Sequence, residues 1–347
     1  MYDAFRHHLR TLTAVPGLAG HEDAVIALMA EGLAAYADEV QIDGLGNVLA
    51  RFGEGAPRLA ILAHMDTVGL MVQRLLARSA FGVVAVGGVN VKALYGVAVR
   101  LHTADGPRQG LIGVRAQHQA RSTDSIGSAD DLYVETDGQP VEITTPITFA
   151  PQFIESGRRI SAPYLDNRAG CALLLALAQR LQAQPAPQSV VLVATVQEET
   201  TCLGAYLALQ AIQPEAALFI DGTLSHDSPD TVGRGAVALG AGPVLTAFLY
   251  VSGLNAWHAH PVLRQHLKSL AHTCKLPVQQ DAAHGLMSDA RAVSWTGTPS
   301  ALLGLPLRGK HGPLETIDLD DLTHALILLE AFARHPLPNL ARGQMRQ

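Results

Sequence analysis

Apolar positions along the chain follow two textures. In the outer parts, short continuous apolar runs alternate with longer segments of helical period. The runs "RLAILAH" (58–64), "VVLVATV" (190–196), "AALFI" (216–220), "VLTAFLYV" (244–251) and "PSALLGLP" (299–306) read as buried strands. Residues 2–15, 21–36, "NRAGCALLLALAQRLQ" (167–182), "HPVLRQHLKSLAHTC" (260–274) and about 318–334 have helical length and an apolar face. Strands alternating with helices predict an α/β fold whose mostly parallel central sheet is sandwiched by helices. From about Gly69 to Phe153 the texture changes. There, short Val/Leu/Ile runs are punctuated by Gly, Pro and Asp, as in "VGGVNVKALYGVAVRLHTADG" and "GPRQGLIGVR", which predicts a small β-barrel or sandwich. The expected division is 1–68 as the first part of the α/β domain, 69–154 as an inserted β-rich domain, and 155–347 as the second part. "AQPAPQ" (183–188) is a short loop, and the chain carries no internal repeat.

Composition narrows the function. A chain of 347 residues that is 48% hydrophobic and 16% charged can bury a sizeable core. Its net charge of −6, without a Lys/Arg block, argues against nucleic acid or an anionic membrane as partner. No apolar run approaches a membrane span, and "MYDAFRHHLR" has no apolar core of a secretory signal. Cys171, Cys202 and Cys274 are odd in number and widely spaced, which fits a reducing cytoplasm better than a disulfide scaffold.

Polar residues recur at one kind of place. His64 and Asp66 follow a strand, Glu198 and Glu199 follow another, and Asp221 ends a third. Asp166 precedes a helix, and His311 sits in the Gly/Pro loop "GKHGPLE". Taken singly, these residues read as a polar loop, a turn Asp, a helix cap and a loop histidine. Together they share the carboxyl edge of the sheet, where ligands bind in open α/β folds. His64, Asp166, Glu199, Asp221 and His311 make a nitrogen/oxygen set without thiolate, suited to zinc, cobalt or manganese. Five ligands exceed the needs of one tetrahedral zinc, whereas two divalent ions sharing one carboxylate use all five. One glutamate of the adjacent pair is then free to act as general base for an activated water.

These segments resemble the tetrahedral aminopeptidases, a group of dinuclear metallopeptidases that includes glutamyl and deblocking aminopeptidases. The resemblance runs through "VPGLAGHE", "DGLGNVLARFG", "AHMDTVGLMV", "LDNRAGCALLL", "TVQEET", "IDGT" and "KHGPLETIDLDDL", and, within the insertion, "VGGVNV" and "ADDLYVE". It implies a zinc-exopeptidase-like fold. It also implies that His64 and Asp221 bind one ion, Glu199 and His311 the other, and that Asp166 bridges them. Asp66 would orient His64, and Glu198 would be the base. The same resemblance implies peptide substrates and a homo-oligomer, a dodecamer built from dimers, with residues 69–154 supplying dimer contacts. The polar stretch 115–131 is expected to be mobile, and the resemblance brings it to an active site with His118 as its candidate residue. Asn167, Thr201 and Cys202 depart from the family pattern, and the segment Val141–Phe149 is short, but no proposed ligand is lost.

Three rivals remain in view. A glycosidase needs carboxyl groups about 5 to 9.5 Å apart across a sugar bond, which suits sequence neighbours poorly and leaves the histidines unexplained. A metal-dependent deacylase would use similar ligands. A metal-stabilised assembly protein would not need Glu198. Arg291, Arg308 and Lys310, near the last motif, read as surface charge, with a preference for acidic substrate residues as the alternative.

Overall fold

The computed structural model describes residues 1–113, 128–252 and 255–341. Among these, nine strands form one mixed sheet. Its path runs Glu39–Ile42, Val48–Phe52, Val190–Thr195, Leu59–His64, Ala216–Leu224, Ser300–Leu307, Val244–Tyr250 and Ala256–His258, with Gln279–His284 pairing alongside Val244–Tyr250. The four strands from Val190–Thr195 to Ser300–Leu307 are mutually parallel. Antiparallel pairs flank them on both sides. The expected parallel sheet is therefore the centre of a mixed one. One flank is a hairpin whose turn is closed by Asp43, which accepts the backbone N–H groups of Leu45, Gly46 and Asn47. A turn this short joins only antiparallel strands.

The central strands read as unbroken apolar runs because both of their faces are covered. Ile61, Ala63, Leu192, Ala194, Leu218, Ile220 and Leu303 pack into a core with the helices Tyr2–Ala14, Asp23–Ala34, Leu165–Ala183, Pro261–Thr273 and Leu319–Arg334. Ala60, Leu62, Val191, Val193, Ala217 and Phe219 point the other way, against Ala205, Ala208 and Leu209 of the helix Leu203–Ile212. That helix lies outside the elements expected from sequence, as do Ala256–His258 and Gln279–His284. "QQDAAH" alternates between half-buried and exposed positions and offers no apolar run to detect.

The inserted segment forms a closed barrel from Gly69–Ala77, Ala80–Val86, Tyr133–Glu135, Gly106–Ile112, Ala98–Thr103 and Pro146–Phe149. It has its own core, including Leu70, Phe81, Val83, Val99, Leu101, Val134 and Ile147. Ser128 caps the short turn Ala129–Asp131 through a capping box, so the end of the stretch expected to be mobile forms a defined turn. His118 lies outside the described residues. Among the described residues, no helix is long and apolar enough to cross a membrane.

One buried amide fastens the hairpin to the sheet edge. Asn47, fully buried, donates to Asp43 Oδ2 at 2.6 Å and to the Gly204 carbonyl at 3.0 Å, and accepts from Val196 N at 3.1 Å. It thereby clamps both ends of the turn that carries Glu198 and Glu199. Asn47→Ala strands the buried Val196 N–H away from water and removes a second donor from the Gly204 carbonyl. It should cost roughly 1–3 kcal/mol of stability, read as a lower denaturant midpoint. An unchanged midpoint would show that the clamp carries no weight.

Candidate functional site

The parallel register delivers polar groups to one edge. Thr195 pairs beside His64, so the turn after Val190–Thr195 arrives where the His64 strand ends. Asp221 lies in the adjoining strand, Asp166 opens the long helix after Tyr164, and Lys310 and His311 follow the Ser300–Leu307 strand. His64 is 1% exposed and Asp166 and Asp221 are 3% exposed, so this chemistry is removed from bulk water. His64 Nε2 lies 3.6 Å from Asp166 Oδ1, 3.7 Å from Glu198 Oε2 and 3.7 Å from Asp221 Oδ1. His311 Nε2 lies 3.3 Å from both Asp166 Oδ2 and Glu199 Oε2. The structure thus brings His64, Asp166, Glu198, Glu199, Asp221 and His311 together, with Asp166 facing one histidine through each oxygen.

Backbone clamps set these positions. Asp66, fully buried, accepts Glu198 N and Glu199 N, each at 3.0 Å, one on each oxygen. Its Oδ1 also lies 3.5 Å from His64 Nδ1. The His64 Nδ1 hydrogen bond itself goes to the Asp66 backbone carbonyl, at 3.3 Å, so one residue meets the ring through its main chain and holds the backbone of both glutamates through its carboxylate. Glu315 does the same across the site, accepting Asp166 N at 2.7 Å and His311 N at 2.6 Å. His311 Nδ1 lies 2.8 Å from the Gly88 carbonyl, which leaves Nε2 facing the carboxylates.

Three neighbours were not singled out from sequence as members of this site. Glu315 stands four residues after His311 in a motif already of interest, so that proximity was the available signal. Asp289 accepts the Thr195 hydroxyl at 2.5 Å, and burial raises its pKa to about 7, opposed by His64 and Thr195. It follows Ser288, which caps the short turn, so in sequence it looks like an ordinary helix-start acid. Lys310 corrects the surface-charge reading. Its side chain is 7% exposed, and Nζ stands 2.7 Å from Asp166 Oδ2 and 3.5 Å from Asp221 Oδ1. Arg308 instead pairs with Asp227 at 2.6 Å, and the Arg291 guanidinium lies over the Trp295 ring at 4.9 Å.

The charges perturb one another strongly. Burial works against the Asp166 anion, yet Lys310, His311 and His64 hold its carboxyl well below the usual range. Burial also works against the His64 cation, but Glu198, Asp166, Asp221 and Asp66 raise its pKa well above the ordinary value. Glu198 is pushed well up by burial, with Asp221, Glu199 and Asp289 adding to the effect and His64 opposing it. Burial raises Glu199 to about 7. His311 reaches about 9, because Asp166 and Glu199 outweigh its desolvation.

The donor set fits a divalent cation. His64 Nε2, both Asp166 oxygens, Glu199 Oε1 and Asp221 Oδ2 are buried without a hydrogen-bond partner. Buried polar atoms are normally paired, so a cluster of orphans in one place calls for a cation. Single donor atoms of His64, Glu198 and Asp221 lie within 4.8 Å of one another, as do those of His64, Asp166 and Glu199. Nitrogen and carboxylate donors suit zinc, cobalt or manganese. Beside them opens a cleft of about 270 Å³, lined in part by Glu198, Glu199, Met287, Arg291, Lys310 and His311.

The sequence model of the M42 glutamyl aminopeptidase family matches residues 46–328. The chain is 31% identical over 346 residues to the lysyl aminopeptidase of Pyrococcus furiosus, covering 95% of this chain and 97% of that one. It superposes on an aminopeptidase from the archaeon Desulfurococcus kamchatkensis with a TM-score of 0.89 at 28% identity, covering 96% of this chain and 95% of the other. A peptidase of Pyrococcus horikoshii, TET1, described as able to assemble into a tetrahedron or a large octahedral shell, superposes at 0.84 with 26% identity, covering 95% and 99%.

The raised pKa values give the site a proton signature. His311, at about 9, and Glu199, at about 7, hold protons that a divalent cation must displace. Below about 7 both groups compete with the ion, and above about 9 neither does. Zinc affinity, measured by chelator competition, should rise with pH across that window, with proton release on binding at neutral pH. An affinity flat from 7 to 9 would contradict this electrostatic picture.

Proposed function

Because the chain belongs to the M42 glutamyl aminopeptidase family and is a peptide hydrolase, we propose that it is a dinuclear, metal-dependent aminopeptidase acting on peptides with a free N-terminus. One ion is assigned to His64 and Asp221 and the other to Glu199 and His311, with Asp166 shared. The observation that carries this reading is Asp166, whose two buried oxygens lack hydrogen-bond partners and face His64 on one side and His311 on the other. When bound, such ions polarise a substrate carbonyl and make water easier to deprotonate.

The chain's own residues then divide the work. Glu198 lines the cleft beside His64 and takes the proton from the attacking water. The same proton then passes to the leaving amine. Asp66 is a positioning residue: through the two backbone N–H groups it holds Glu198 toward the cleft and Glu199 toward His311. Zinc or cobalt suits the donors best, and manganese is acceptable to them. We place the enzyme in the cytoplasm, in keeping with three free cysteines.

The barrel segment, 69–154, is assigned to subunit contact in a dimer-based homo-oligomer, a dodecamer in the fullest form. The shell-forming TET1 peptidase supports this, as does the exposure of Leu75 (63%) and Leu76 (52%) on a barrel strand. Light scattering at micromolar concentration should give a mass several times the 36.7 kDa of one chain. A 36.7 kDa particle would remove the assembly from the account.

Substitution of the adjacent glutamates separates their roles. Glu198→Gln keeps shape but cannot act as base, so turnover of aminoacyl chromogenic substrates should fall roughly a hundred- to ten-thousand-fold. Its metal content should stay nearly unchanged. Glu199→Gln should lose metal, and excess ion should restore part of its activity. Full turnover in Glu198→Gln would sink the mechanism. Hydrolysis of acylated amines in preference to free peptides would instead make the enzyme a deacylase.

A further inference from the structure

We infer that Lys310 is an internal counter-cation that occupies the Asp166 and Asp221 carboxylates and must withdraw before divalent ions can load on both. The inference rests on the metal-dependent reading above and adds a barrier to it: ions that would share Asp166 compete with a resident ammonium, so the second binds more weakly than the first.

Three observations carry it. The ammonium is anchored on the Asp221 strand. Nζ donates to the Gly222 carbonyl at 2.9 Å and to Asp221 Oδ1 at 3.5 Å. Toward Asp166 Oδ2, 2.7 Å away, it offers charge without hydrogen-bond geometry, since that oxygen has no hydrogen-bond partner. An ammonium and a divalent cation repel, and here they would claim the same carboxylate oxygens at close range. Secondly, the loop that presents Lys310 is fixed. Gly309 takes φ +69°, where a side chain is strained, and a Cβ there would meet the Leu314 carbonyl at 2.8 Å. Glu315 holds the next residue, His311, by its backbone N–H. Only the flexible four-carbon stem of Lys310 is left to move. Thirdly, it has somewhere to go, because Lys310 lines the 270 Å³ cleft that opens beside the cluster. Withdrawal into that cleft keeps the charge near carboxylates while clearing Asp221.

Titration of the metal-free, full-length chain with zinc against a chromophoric chelator tests this. The wild-type chain should show two steps. In Lys310→Met the weaker step should tighten by about tenfold or more, while the tighter step moves much less. Arg291→Ala is the control, because Arg291 is a cleft cation that touches neither Asp166 nor Asp221; it should leave both steps in place. Equal tightening in Arg291→Ala, or identical two-ion isotherms in the wild type and Lys310→Met, overturns the role of Lys310 alone. Absence of zinc binding in both chains overturns the metal reading beneath it. A second measurement needs no variant. Amine acetylation of Lys310, read by mass spectrometry, should be slow in the metal-free chain and faster at saturating zinc. Labelling that zinc does not change contradicts displacement.

Discussion

The structure turns on buried negative charge gathered at one edge of a sheet. Asp66, Asp166, Glu198, Glu199, Asp221 and Asp289 converge there, with His64, His311 and Lys310 as the cations nearest to them. Carboxylates removed from water are costly unless paired or bound to metal. Several are held by hydrogen bonds: Asp66 by two backbone N–H groups and Asp289 by Thr195. Asp166, Glu199, Asp221 and Asp289 also present buried oxygens without a hydrogen-bond partner.

The fold serves that arrangement at each level. Parallel register brings strand ends to a common edge, and burial on both faces makes the strands rigid. Asn47 ties the hairpin to the turn carrying the two glutamates, and Asp66 then separates their directions. Glu315 plays the matching part for Asp166 and His311. Precision at the site thus comes from buried side chains bonded to backbone, which tolerate little movement.

The central strands were legible in sequence because burial on both faces makes them continuous apolar runs. The site acids were legible because polar residues at the ends of such runs need a reason to be there. Edge elements were not. Gln279–His284 is half-exposed and has no apolar signature, and the helix Leu203–Ile212 is only 10 residues long and starts without a capping side chain. Lys310 was misread because a lysine between Gly309 and His311 has every appearance of solvent exposure. Only the packing of the loop against the Asp221 strand turns it inward. Asp289 and Glu315 were hidden for the related reason that their partners lie far away in sequence, at Thr195 and Asp166.

Anomalous diffraction at the zinc edge from crystals soaked in zinc tests the central claim most directly, because it locates the cation rather than its consequences. The account predicts two peaks flanking Asp166, one toward His64 and Asp221 and one toward Glu199 and His311, with Lys310 withdrawn from Asp221. Saturating zinc that leaves no peak at Asp166, with the ammonium still lying against Asp166 and Asp221, would contradict it.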